Sequence, residues 1–194
     1  MRTVVPKNAC LVPENATCVF RGKIFDVYQW QQEMFDGSFE TFEMLKRQDT
    51  VNVLAIKDEK LVILKQQQPG KAEFYGIPGG RHDDPSETEL EAAKRELLEE
   101  AGMTFRNWRL IWVLQPFVKM EWFVYLYLAT DFVDRVPQKL DSGEKIEVQL
   151  MTLREVRNLM EKLDDGNSRL DFERKIFDRI DTIDDLVNWP EYQA

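Results

Sequence analysis

The order of elements along the sequence predicts an α/β (α+β) fold: an α/β/α sandwich around a mixed β-sheet, preceded by an N-terminal β-meander. Three observations carry this. The first is a run of β-patterned segments near the start, in which Asp36-Gly37 between residues 31–35 and 38–45 is a hairpin signal. The second is a single amphipathic helical pattern in mid-chain, with Leu90, Ala93, Leu97 and Ala101 forming an apolar stripe. The third is a further set of aromatic and β-branched strands that gives way to helical patterns at the end. Residues 1–48 read as an arm and meander, and residues 49–194 as the main domain with its C-terminal helices.

Taken in order, residues 1–15 contain Pro6 and Pro13 and little periodicity, which predicts an extended arm. Strands follow at 19–20 and 24–30 across an Arg21-Gly22 turn. Residues 50–56 and 60–66 form a strand pair joined at Lys57-Asp58-Glu59, and residues 73–78 lead into a glycine loop at Gly79-Gly80. Ser86 with Glu89 three places on predicts a capping box for the central helix, and Gly102 supplies a left-handed stop. Strands are predicted at 108–113 and 122–129, then a polar loop over 131–144 and a strand at 146–151. A helix from Thr152 to about Leu163 presents Leu153, Val156, Leu159 and Met160, and Asp165-Gly166 breaks it. Helices near 171–180 and 183–187 complete the chain.

At 194 residues and 43% hydrophobic, the chain is long enough to bury a core as one domain with a small appendage. A net charge of −9 argues against a nucleic-acid-binding surface, which is normally basic, but leaves a small nucleotide open. Cys10 and Cys18 make no metal-ligand pattern and read as reduced thiols. No apolar run approaches a membrane span, and the first residues lack the apolar stretch of a secretion signal, so a cytoplasmic location is expected. His82 is the single histidine, which excludes a histidine zinc site and a Ser-His-Asp triad.

The central helix carries more carboxylate than folding requires. At about 100° per residue, Glu96, Glu99 and Glu100 fall within a narrow arc. Like charges at such spacing destabilise an isolated helix by roughly 0.2–0.5 kcal/mol per pair. A hard divalent cation explains the cluster, because Mg²⁺ takes oxygen ligands from carboxylates, waters and substrate phosphates. A solvated acidic face is the plainer alternative. Arg95 can pair with a neighbouring glutamate or a phosphate. Glu87 reads either as an auxiliary metal group or as a first-turn glutamate favoured by the helix dipole.

The stretch from Gly80 through Glu87 to Arg95-Glu96-Leu97-Leu98-Glu99-Glu100-Ala101-Gly102-Met103 resembles the signature of the Nudix hydrolases. That signature is a glycine, a glutamate, then Arg-Glu-aliphatic-any-Glu-Glu-any-Gly-aliphatic. This chain has one extra residue between Gly80 and Glu87. The resemblance covers residues 50–163 and implies the Nudix fold. It implies hydrolysis of a diphosphate joined to another moiety, with Mg²⁺ (or Mn²⁺ as substitute) held by Glu96, Glu99, Glu100 and the Gly80 carbonyl. Glu99, Glu100 and Arg95 become catalytic residues, and a late-loop glutamate becomes the general base: Glu144, with Glu147 in the same region and Glu121 as reserve.

The segment 66–70, led by Gln66 and Gln68, resembles the approach to the box in the branch that cleaves ADP-ribose and nucleotide sugars. By that resemblance Gln66, Gln68 and Arg81 are substrate-binding candidates, the substrate is a small nucleoside diphosphate derivative, and a homodimer through the meander is expected. Pro116, 13 residues beyond Met103, is nearer the box than that branch suggests, which keeps a dinucleotide or damaged nucleoside triphosphate in view. A non-catalytic nucleotide-binding regulator is a further alternative, disfavoured by the intact carboxylates. An isomerase would need a cysteine beside the box, and Cys10 and Cys18 lie far from it.

Overall fold

The computed structural model describes residues 2–163 and 169–193. The arm is followed by strands β1 (Thr17–Arg21), β2 (Asp26–Glu33) and β3 (Phe39–Lys46), paired antiparallel in that order. The predicted hairpin is present. Asp36 Oδ1 accepts from the Ser38 N–H (3.0 Å) and hydroxyl (2.6 Å), and Gly37 takes φ 84°, a left-handed conformation that suits glycine.

Strands β4 (Asp49–Lys57) and β5 (Lys60–Gln67) meet at Asp58-Glu59, but their mutual register covers only Ile56↔Leu61 and Lys57↔Lys60. The hairpin then splays. Its open edges are satisfied by β6 (Phe74–Gly76) along β5 and β7 (Gly79–His82) along β4. The glycine loop expected at Gly79-Gly80 is therefore a strand, because the unpaired edge of β4 needs backbone partners. A Cβ at Gly79 would collide with the Val51 carbonyl and with Asn52, so the close pairing depends on glycine.

Helix α1 (Glu89–Ala101) is capped two residues later than expected. Thr88, not Ser86, is the N-cap. Its hydroxyl accepts from the Glu91 N–H (3.3 Å), while the Glu91 carboxylate accepts from the Thr88 N–H (2.8 Å). Ser86 instead bonds Asp84, and Glu89 is buried for another purpose. The stop is as predicted: Gly102 has φ 65° and its N–H bonds the Leu98 carbonyl.

Strands β8 (Met103–Leu114), β9 (Met120–Glu121), β10 (Val124–Arg135) and β11 (Lys145–Met151) follow. β9 pairs with β3 and completes a four-stranded sheet with the meander. The main sheet is seven-stranded and mixed, in the order β11-β5-β4-β10-β8 with β6 and β7 inside the splay; β10 runs parallel to β4. The polar loop expected from residue 131 starts late, since β10 continues to Arg135 and pairs there with Met103. Those last residues are mostly exposed and polar, so no apolar alternation marked them.

Helices α2 (Leu153–Lys162), α3 (Asp171–Phe177) and α4 (Ile183–Val187) end the fold. The break expected at Asp165-Gly166 lies outside the described residues. Strand alternation divides the core in two. Val51, Val53, Ala55, Tyr125 and Tyr127 face α1 through Ala92, Ala93, Leu97 and Ala101. Leu54, Ile56, Leu126 and Leu128 face α2 to α4 through Val156, Met160, Ile176 and Phe177. This is the α/β/α sandwich that the sequence predicts, and it fixes α1 rigidly beside β7.

Candidate active site

Because Ala93, Leu97 and Ala101 are pinned to the sheet, the adjoining arc of α1 presents its glutamates along β7. Glu96 lies directly over Gly80: a Cβ there would overlap its carboxylate. Glu100 Oε2 accepts the Gly79 N–H at 2.8 Å. Both glycines of the box thus serve the helix, one by leaving room and one by donating.

Arg95 braces the cluster. Its Nε lies 3.0 Å from Glu87 Oε1, and its Nη1 reaches Glu96 Oε1 (2.8 Å) and Glu99 Oε2 (3.2 Å). Its Nη2 donates to the Arg81 carbonyl (3.2 Å). Burial alone would lower the Arg95 pKa, but Glu87 and Glu96 outweigh it and raise it. Glu87 precedes the helix and spends its carboxylate on Arg95, which excludes the first-turn dipole role considered above. His82 Nε2 lies 2.6 Å from the Glu87 carbonyl, so the single histidine shapes the extra-residue loop.

The electrostatics ask for a cation. Burial, with repulsion from Glu99 and Glu144, raises Glu96 despite Arg95. Burial pushes Glu100 up to about 8 against the Gly79 hydrogen bond, with Glu96 and Glu144 adding to the rise. As they stand, Glu96 and Glu99 lean on Arg95 and Glu100 on Gly79, so among the described residues no three acidic side chains close on one point. The donor set nevertheless fits a hard divalent ion: desolvated carboxylates beside the backbone of β7, with no sulfur or imidazole among them.

Of the late-loop glutamates, Glu144 sits just before β11 and acts electrostatically on both Glu96 and Glu100. It borders a cavity of about 490 Å³ that Gln68 also lines. Glu147 is exposed on β11, where its carboxylate accepts from Gln149. Glu121 is not available as a base. It is buried and holds Arg2 (2.6 Å), Lys46 (2.7 Å) and the Val12 N–H (2.7 Å). Gln66 is buried on β5, in register with Phe74 of β6 and with its amide near Gly76. Gln68 is brought toward the site, and Arg81 projects from β7 with its side chain 3.9 Å from Asp83.

Arg47 joins the site without any mark in the sequence pattern. Its Nε is buried with no hydrogen-bond partner among the described residues, and its guanidinium lies 4.4 Å from the Trp122 ring centroid. Burial and the nearby Arg81 lower its pKa. It borders a cavity of about 440 Å³ between the meander and the loop at His82–Pro85. An isolated arginine at a strand end gives no periodic signal, so only the fold reveals it. Trp122 itself is occupied by Arg47, Phe117 and Phe172, and Trp30 packs on Phe42.

Comparison with known proteins follows the same lines. The profile of the NUDIX domain family matches residues 46–172. A curated relative, the ADP-ribose pyrophosphatase of Bacillus subtilis (strain 168), is 32% identical over 148 residues, covering 74% of this chain and 79% of its own. Among solved structures, an ADP compounds hydrolase superposes with a TM-score of 0.68 at 21% identity, over 86% of this chain and 90% of that one. A NUDIX hydrolase from Nitrosomonas europaea superposes with a TM-score of 0.58 at 20% identity, over 76% of this chain and 93% of that one.

Proposed function

The chain belongs to the NUDIX family and is a pyrophosphohydrolase, and we propose that it cleaves the diphosphate linkage of ADP-ribose, or of a closely similar nucleotide sugar, to a nucleoside monophosphate and a sugar phosphate. The observation that carries this reading is the desolvated carboxylate arc of α1 closed over Gly79 and Gly80. The identity to the Bacillus subtilis ADP-ribose pyrophosphatase supports the substrate.

Glu96, Glu99, Glu100 and the Gly80 carbonyl would hold Mg²⁺, with Mn²⁺ as a substitute. The ion supplies charge neutralisation at the diphosphate and a more acidic water. Arg95 keeps Glu96 and Glu99 on the same side of the helix, and Glu87 keeps Arg95 in place. Glu144, just before β11 and electrostatically coupled to Glu96 and Glu100, takes the proton from the attacking water. Arg47, desolvated and only partly satisfied, meets a substrate phosphate beside Arg81. Gln68 lines the opposite cavity and contacts the sugar phosphate half.

The protein acts in the cytoplasm, where free Cys10 and Cys18 stay reduced. Two copies pair through the meander, whose exposed Phe20, Ile24, Phe35 and Phe39 offer an apolar surface for a second copy. The test is a panel of ADP-ribose, nucleotide sugars, dinucleotides and nucleoside triphosphates incubated with Mg²⁺. Preferred release of AMP from ADP-ribose is expected. Preference for a triphosphate or dinucleotide would replace the substrate, and binding without turnover would favour a regulator.

A further inference from the structure

Arg169 reaches the active site from beyond α2, in a part of the chain that the box motif does not touch. Its backbone N–H donates to the Tyr75 carbonyl at 2.8 Å, which anchors it on β6 immediately before Gly79-Gly80. Its Cβ lies over Gly76, and its guanidinium carbon is 4.1 Å from the centroid of the Phe74 ring. Nη2 lies 3.4 Å from Gln68 Oε1, and Gln68 in turn lines the cavity that Glu144 borders. Among the described side chains no carboxylate lies within ion-pair distance of it. Burial lowers its pKa while Glu100 opposes that shift, and Arg169 in turn lowers Glu100.

These links hold one desolvated cation against β6, within electrostatic reach of Glu100. A guanidinium held on an aromatic face keeps its edge free for oxygen, and a fork of N–H groups matches two oxygens of a phosphate. With the Glu100 charge met by a divalent ion, the Arg169 fork would suit phosphate oxygens. We infer that Arg169, steered by Phe74 and Gln68, binds phosphate oxygens of the nucleoside diphosphate substrate on the Glu144 side of the site. This rests on the hydrolase reading given above and adds to it a phosphate contact supplied by the C-terminal part of the fold.

The test compares wild type, Arg169→Gln and Arg169→Lys with Mg²⁺ present. The readouts are steady-state ADP-ribose cleavage, and calorimetric binding of an ADP-ribose analogue whose bridging oxygen is replaced by CH₂. Inhibition by adenosine, which has no phosphate, is measured alongside. Arg169→Gln is expected to weaken analogue binding and raise KM by about tenfold or more, with Arg169→Lys intermediate and adenosine inhibition unchanged in both. Analogue binding equal to wild type in Arg169→Gln, or an equal weakening toward adenosine, overturns the assignment. Should the Gln variant not fold, full affinity in Arg169→Lys overturns the fork contact. A wild type that neither cleaves ADP-ribose nor binds the analogue overturns the hydrolase reading itself, an outcome read without any variant.

Discussion

A side chain at Gly80 would have to occupy space already taken by the Glu96 carboxylate, so this position tests the metal site without removing any ligand side chain. Gly80→Ala is expected to keep the fold, lower turnover by tenfold or more, and raise the Mg²⁺ concentration for half-maximal rate. An unchanged metal requirement would show that Glu96 does not act from that place. The glutamates themselves were legible in the sequence, because clustered like charge on one helix face has no folding purpose. The braces were less so: that Arg95 grips Glu87, Glu96 and Glu99 together depends on side-chain reach. Arg47 and Arg169 were not legible at all, since each becomes distinctive only through what packs on it.

At the level of elements, the arm preceding β1 ties the catalytic helix down. Glu89, buried at the first turn of α1, accepts from the Thr3 N–H and hydroxyl, both at 2.6 Å. Arg2 forks onto Asp49 and reaches Glu121, and Tyr125 donates to the Val4 carbonyl. Thr3→Val leaves one oxygen of a buried carboxylate unsatisfied and is expected to cost about 1–3 kcal/mol in denaturant unfolding, with Thr3→Ser close to wild type. Equal stability of all three would remove the arm from the account. Burial alone would raise Glu121, but Lys46, the Val12 N–H and Arg2 outweigh it and hold it below the ordinary carboxylate range. Its ionised form therefore stabilises the fold above the unfolded pKa of roughly 4.3, and that stability is lost as pH falls through the depressed folded value. Wild type should exceed Glu121→Gln in unfolding free energy at pH 7, with the gap closing below about pH 4. A gap independent of pH would contradict this. Sequence patterns found these elements but misplaced their edges. The cap is Thr88 with Glu91 rather than Ser86 with Glu89, and the Glu89 carboxylate meets Thr3, a contact 86 residues away in sequence.

For the whole molecule, the α/β/α layering followed from the order of elements and the family resemblance, whereas the splayed β4–β5 hairpin that receives Gly79-Gly80 did not, because edge satisfaction is a property of the assembled sheet. The meander leaves Phe20, Phe35 and Phe39 exposed, and light scattering is expected to give the mass of a dimer; a monomer would sink that proposal. The most direct test of the central claim is AMP release from ADP-ribose as Mg²⁺ is titrated, with wild type set against Glu99→Gln. Glu99 is more open than Glu96, so its neutral variant perturbs the core least. Mg²⁺-dependent turnover is expected in wild type, with a loss of about 10²-fold or more in the variant that excess Mg²⁺ does not restore. Wild-type rates in Glu99→Gln, or cleavage indifferent to Mg²⁺, would place the chemistry somewhere other than the acidic face of α1.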